Sequence, residues 1–167
     1  KYSDIAILSR NQAFLYDLEK YAIENNYNIP LSFEGRINLY RTFPAIVLLA
    51  WFRFLLDKNV DRALAVIMEK EGYGYWDILS VIRNGSVPEE IVSFKKKLSL
   101  EKDFLKLIAK IYNRYRNKTR IFKTSIPDII ANNLYSVFLN MNFDLNSVVV
   151  FLERSISQDI YINIEPW

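Results

Sequence analysis

The sequence contains no cysteine and no histidine, and only four of its 167 residues are glycine. Without cysteine, the chain can form neither a disulfide framework nor a thiolate metal site. Without histidine, it lacks the usual general base and the Ser-His-Asp type of catalytic centre. No glycine precedes Lys-Ser or Lys-Thr, so there is no phosphate-binding loop. We therefore expect the chain alone to be non-catalytic and to bind no cofactor or metal.

Long uninterrupted apolar runs are also absent. The longest run, FPAIVLLAWFRFLL, is interrupted by Arg53 and is too short to span a bilayer. Early charges at Asp4, Arg10 and Asp17 argue against a signal peptide. Hydrophobic residues still make up 51% of the chain, which is enough for a packed core. The composition predicts a cytoplasmic protein without membrane contact, and the abrupt ending INIEPW is expected to be a break within a longer chain.

Positive charge is concentrated in one part of the chain. Residues 95–123 contain eleven Lys or Arg against two acids, Glu101 and Asp103, which gives this segment a net charge of +9. Since the whole chain has a net charge of only +3, the remainder carries −6. Such an asymmetry predicts an anionic partner at one face.

Hydrophobic periodicity predicts a mainly α fold with a small N-terminal β-α-β unit, so a small α/β element precedes the helices. The β-α-β unit comprises a strand at 4–9, a helix at 13–25 and an extended segment at 27–35. A central helix is expected at 43–56, because it is apolar nearly all round. Further helices are predicted at 60–69, before Gly85, from Pro88 to about residue 117 as one helix or a pair, after Ser125, and at 144–157. The tail alternates in polarity and is expected to be a returning strand.

A basic stripe is the most specific charge pattern. Its members recur every four residues, and on one helix they would share a face: Lys102, Lys106, Lys110, Arg114 and Lys118. The stripe is either an ordinary solvated face or a surface for a polyanion, and the expected lack of acidic partners favours the polyanion. Tyr112, Tyr115 and Phe122 either stack on bases or pack in the core, and core packing is favoured. Glu69 and Glu71 flank a predicted turn and are expected to be solvated.

Three segments, in order along the chain, resemble superfamily 1 DNA helicases of the UvrD, Rep and PcrA type. They are DIAILSRNQAFLYDLEKYAIENNYNIP, FEGRINLYRTFPAIVLLAWFRFLLD and LNSVVVFLERSISQDIYINIEP. The first two are specific, whereas residues 69–142 match by helical character and position alone. Gly35 stands where two glycines are usual, and Phe43-Pro44 replaces an acidic helix start. With these departures the chain is more similar to the divergent RecB and AddA helicase-nuclease branch, the exodeoxyribonuclease V type, or to an unassigned relative, than to UvrD itself.

The resemblance implies a division of the chain into parts of a motor. Residues 1–43 would be the first segment of the RecA-like domain 2A, residues 44–157 the inserted helical accessory domain 2B, and residues 158–167 a strand returning to 2A. The ATP-binding loop and the Mg-binding acids of the family lie outside this sequence. The resemblance thus implies an ATP- and Mg-dependent DNA helicase, acting in DNA repair or recombination, of which this chain is a part.

The same resemblance implies two sets of DNA contacts. Arg10 and Gln12 would meet the backbone of the translocating single strand, although Arg10 could instead pair with Asp4 or Asp17. The accessory domain lies near the duplex in this family, which assigns duplex contacts to Lys102, Lys106, Lys110 and Arg114. The partners would be DNA, at single strand and duplex junction, and the rest of the helicase chain. The alternative is a stand-alone helical module that binds a protein partner.

Overall fold

The computed structural model describes residues 39–157 without a gap, residues 36–37 and 162–163, and isolated positions 5, 7, 8, 18, 21, 25 and 27. Backbone contacts divide the chain into a unit of residues 37–162 and a unit of residues 1–36 with 163–167. The predicted strand at 4–9 and extended segment at 27–35 lie outside the described residues, apart from isolated positions. Leu18 and Tyr21, within the predicted helix at 13–25, are helical. The division into motor and accessory domains stays a prediction.

The described part of the chain is mainly helical, as predicted. Its α-helices are α1 (Phe43–Leu55), α2 (Val60–Glu71), α3 (Tyr75–Asn84), α4 (Glu89–Ser99), α5 (Phe104–Tyr115), α6 (Ile126–Asn140) and α7 (Leu145–Ser157). Short 3-10 helices lie at Leu39–Arg41 and Arg120–Lys123. Two strands of two residues each, β1 (Arg36–Ile37) and β2 (Ile162–Asn163), pair in a two-stranded sheet. β2 lies within the tail that was predicted to be extended.

Helix α1 is the centre of the fold, which confirms the prediction made from its apolar sequence. It packs against α2, α4, α5, α6 and α7. Trp51 and Phe52 are fully buried, as expected of a helix that is apolar on all sides. Arg53, its one charged residue, reaches Glu153 of α7, with 2.7 Å between Nη2 and Oε1. Burial of the guanidinium is therefore compensated by an opposite charge.

Glycine and proline set the helix boundaries as the sequence indicates. Gly85 ends α3 with a φ of +70°, and Gly72 ends α2 with a φ of +97°. Both angles lie in the left-handed region, which glycine adopts without the steric cost of a Cβ atom. Pro88 immediately precedes α4. The predicted helix starting near Pro88 is a pair of helices, because a link at residues 100–103 separates α4 from α5.

The aromatic residues of the basic region belong to the core. Tyr112, Tyr115 and Phe122 are all buried, and the rings of Tyr115 and Phe122 stack with 5.7 Å between centroids. Tyr112 and Tyr115 lie on the apolar side of α5 together with Phe104 and Ile111, and Phe122 packs against them from the 3-10 helix Arg120–Lys123. Core packing, the favoured interpretation, is confirmed, and these rings are not exposed to stack on bases.

Candidate functional site

The predicted basic stripe does not lie on a single helix. Asp103 is the N-cap of α5, because its side chain accepts a hydrogen bond from the backbone N–H of Lys106 at 3.2 Å. Lys102 therefore precedes the helix, and Lys118 follows its end at Tyr115. Within α5 the stripe comprises Lys106, Lys110 and Arg114. An N-cap residue before an apolar run is a signal in the sequence that could have placed this boundary.

The expectation that the stripe lacks acidic partners is wrong. Nζ of Lys110 lies 2.6 Å from Oε2 of Glu101, and Nε of Arg114 lies 2.6 Å from Oε1 of Glu71. Lys118 pairs with the other carboxylate oxygen of Glu71. A helical repeat reveals partners three or four residues away, whereas Glu71 is 43 residues from Arg114 in sequence. Only the tertiary fold brings these charges together.

Glu71 is the least solvated charge in this region, contrary to the prediction that it is solvated. Its side chain is 2% exposed. Burial raises the pKa of Glu71, but hydrogen bonds from Arg114 and Lys118 outweigh this effect, and the pKa is lowered overall. Glu71 follows the buried Ile67 and Met68 by one helical turn. That spacing places it on the inner face of α2 and could have predicted its burial.

Two aromatic side chains extend this ion pair into the core. The hydroxyl of Tyr115 hydrogen-bonds Glu71 and accepts a hydrogen bond from Nε1 of Trp51 at 2.9 Å. The guanidinium of Arg114 lies over the ring of Phe94, 4.6 Å from its centre. We call Trp51, Tyr115, Glu71, Arg114 and Lys118 the buried network. It fixes the ends of α2 and α5 to the central helix and holds Arg114 in one position.

Several lysines of the basic region remain available to a partner. Lys96 and Lys97 of α4, Lys102 of the link and Lys106 of α5 are exposed. None of them takes part in the ion pairs found within the described residues. We call these four residues the free lysines. Two of them, Lys102 and Lys106, belong to the predicted site, and the other two were not singled out in the sequence.

An open groove of about 630 Å³ lies between α4 and α5. It is lined by Phe94, Lys97, Leu100, Lys110, Asn113 and Arg114. The groove therefore brings together two predicted site residues, Lys110 and Arg114, with one of the free lysines. Lys102 and Lys106 do not line it. Leu100 is 80% exposed, which is unusual for a large apolar side chain beside three cations.

The predicted single-strand contacts, Arg10 and Gln12, lie outside the described residues and stay predictions. Within the part of the chain that the structure describes, no group of three acidic side chains is placed to hold a metal ion. None of the helices described there has both the length and the hydrophobicity needed to cross a bilayer. Comparison with known proteins found no matching family model, no matching curated protein and no matching solved structure.

Proposed function

We propose that this chain is part of an ATP-dependent DNA helicase of the UvrD type, and that it contributes contacts to DNA but no complete active site. The observation that supports this proposal is the group of free lysines, Lys96, Lys97, Lys102 and Lys106, on consecutive elements of one basic region. The resemblance of the first two segments gives the helicase context. By the same resemblance, the small β-α-β unit and the domain divisions at 43/44 and 157/158 belong to the proposal.

Free lysines suit a DNA backbone for a physical reason. An exposed ammonium group that already has a carboxylate partner gains little from a phosphate, because the phosphate must displace that partner. Lys102 and Lys106 make no direct ion pair among the described residues, whereas Lys110 pairs with Glu101, which acts on Lys106 only as a more distant charge. Each phosphate neutralised on duplex DNA releases counterions, so log K falls with log salt by about 0.9 per contact. Phosphates carry no base identity, and the binding is expected to be independent of sequence.

The experiment compares salt dependence in a double variant and a matched control. A labelled forked DNA, with single strand joined to duplex, is titrated across a salt series by fluorescence anisotropy. Lys102→Gln with Lys106→Gln is expected to flatten the slope by about 1.8, for two lost contacts. The control, Arg62→Gln with Arg154→Gln, removes the same charge from exposed positions on α2 and α7. Equal slopes for wild type, variant and control would contradict the proposed surface.

A protein-interaction module is the second candidate, and exposed aromatic residues favour it. Tyr75 and Trp76, at the start of α3, are 69% and 75% exposed. Helix α3 contains no buried residue, so these rings are not part of the core. The encoding reading frame separates the two candidates. A helicase of this family requires a phosphate-binding loop upstream and, just downstream, the family motif that contains KGLEF. A reading frame that ends near Trp167 would contradict the helicase proposal.

A further inference from the structure

We propose that the groove between α4 and α5 binds one unpaired nucleotide of a single-stranded nucleic acid. This inference rests on the proposed function, but it is a separate claim. The proposed function needs only exposed lysines that meet a DNA backbone. The groove adds an open surface depression that combines a guanidinium with apolar side chains, and we expect it to favour an unpaired strand over a duplex.

Arg114 is positioned to receive a phosphate. Its Nε donates to Glu71 and its Cζ lies 4.6 Å from the centre of the Phe94 ring, so two contacts restrain the side chain before a ligand arrives. A guanidinium has five N–H donors. Within the described residues, Nε is the only side-chain donor of Arg114 that makes a hydrogen bond. Arg114 also lines the groove. Its remaining guanidinium donors can therefore bind the oxygens of a phosphodiester there.

The charge balance of the groove leaves room for an anion. Four cations lie in it or beside it, namely Lys97, Lys110, Arg114 and Lys118. Three carboxylates oppose them: Glu101 and Glu71 in ion pairs, and Glu90, whose charge acts on Arg114 without a direct ion pair. Glu71 is shared between Arg114 and Lys118, and Lys97 has no acidic partner within the described part of the chain. The surplus is therefore about one positive charge, which matches the single negative charge of one phosphodiester.

The apolar wall explains why the nucleotide should be unpaired. Leu100 and Phe94 supply apolar surface, and the amide of Asn113 can donate or accept hydrogen bonds beside it. In a duplex the base is stacked and paired inside, so this wall would face only sugar and phosphate. In a single strand the base is free to lie on a side-chain surface. The groove is open to solvent, and its volume of about 630 Å³ allows a base to lie against this wall without being enclosed.

The test uses a pair of neighbouring lysines on one helix. Lys97 lines the groove and Lys96, equally exposed, does not. A labelled single-stranded oligonucleotide and a duplex of the same length are titrated at one salt concentration by fluorescence anisotropy. We expect Lys97→Gln to weaken single-strand binding about tenfold, as for a lost charge-assisted hydrogen bond. Lys96→Gln is expected to weaken single-strand binding about twofold at most, because Lys96 lies outside the groove and its proposed phosphate contact is with the duplex backbone.

Leu100 tests the contact with the base. Leu100→Ser is expected to weaken single-strand binding about fivefold through lost apolar contact and to leave duplex binding unchanged. All three residues are exposed, so the variants should remain folded, and circular dichroism checks this. Equal effects of Lys96→Gln and Lys97→Gln, with none from Leu100→Ser, would overturn the groove proposal. In that case a salt slope that is still flattened by Lys102→Gln with Lys106→Gln would leave the proposed backbone contacts in place.

Two competitors identify the ligand class. Inorganic phosphate and a polyglutamate peptide are added to the single-strand complex at matched concentrations of anionic groups. If the groove binds a nucleotide, unlabelled oligonucleotide should displace the labelled strand more effectively than either phosphate or polyglutamate does. Displacement by phosphate to the same extent would show a simple anion site. Displacement by polyglutamate that depends on Leu100 would show an acidic protein segment as the occupant. Either result would contradict the proposal.

Discussion

Replacement of Glu71 by glutamine should destabilise the helical unit more than any substitution of an exposed acid. The carboxylate is 2% exposed and is the common partner of Arg114 and Lys118. Glutamine keeps the shape but not the charge. The substitution leaves Arg114 without its counter-charge. Because the Arg114 side chain is only 20% exposed, water compensates this loss only in part. Breaking a fully buried pair costs about 3–5 kcal/mol.

The partial exposure of both cations reduces this figure. Hydrogen bonds to charged groups contribute about 1.5–3 kcal/mol each, and Lys118 is 42% exposed, which allows water to replace part of its interaction. We therefore expect Glu71→Gln to lower the free energy of unfolding by about 2 kcal/mol. For a chain of this size, the melting temperature should fall by about 4–8 °C. Urea titration followed by circular dichroism measures the change.

The matched control is Glu69→Gln, two residues earlier on the same helix. Glu69 is 62% exposed and pairs with its neighbour Lys70. Since exposed pairs contribute little, the control should change the free energy of unfolding by less than about 0.5 kcal/mol. Equal and small effects of the two substitutions would refute the claim that Glu71 is a buried structural charge.

The pH dependence supplies an independent check with a definite sign. Because the pKa of Glu71 is lowered in the folded state, its contribution is complete above the unfolded value of about 4.5. It is lost as the pH falls through the folded pKa. The difference in unfolding free energy between wild type and Glu71→Gln should therefore be constant from about pH 6 to 8 and shrink below about pH 4.5. A difference that grows on acidification would contradict this reasoning.

Two further stability predictions follow from the same region. Tyr115→Phe should lower the free energy of unfolding by about 1–3 kcal/mol in a urea titration, because the buried Nε1 of Trp51 loses its acceptor. Tyr112→Phe, the matched control, should not destabilise the protein, since the Tyr112 hydroxyl is buried without a partner among the described residues. Gly72→Ala should cost about 1 kcal/mol in the same assay, through the φ of +97° alone, because no atom lies within 4 Å of an added Cβ. An unchanged midpoint for Gly72→Ala would contradict the left-handed assignment.

Features encoded by local chemistry could be predicted from the sequence. Gly85 and Pro88 mark helix boundaries because their backbone preferences act within one or two residues. The sequence of α1 is apolar except for Arg53, which required burial on nearly every side, and the structure places that helix at the centre. Phe104, Ile108 and Ile111 are spaced as on one face of a helix, and all three are buried on the inner face of α5. In each case the physical cause lies within the same segment of the sequence as the feature.

Features that depend on distant segments could not be predicted in this way. Glu71 meets Arg114 and Lys118 only when the end of α2 packs against the end of α5. The spacing of residues within the stripe therefore cannot reveal either ion pair. Lys97 joins Lys110 and Arg114 in the groove because a link of four residues turns the chain between α4 and α5. The prediction of one stripe on one helix was wrong because the capping role of Asp103 was overlooked. Arg10 and Gln12 stay predictions that rest on the resemblance.

The central claim is that this chain binds DNA through unpaired cations of its basic region. The most direct measurement is the affinity of the wild-type chain for a labelled forked DNA at five or more salt concentrations. Four phosphate contacts by the free lysines predict a linear plot of log K against log salt with a slope of about −3.6, independent of base sequence. A slope near zero, or the absence of saturable binding at low salt, would contradict the claim.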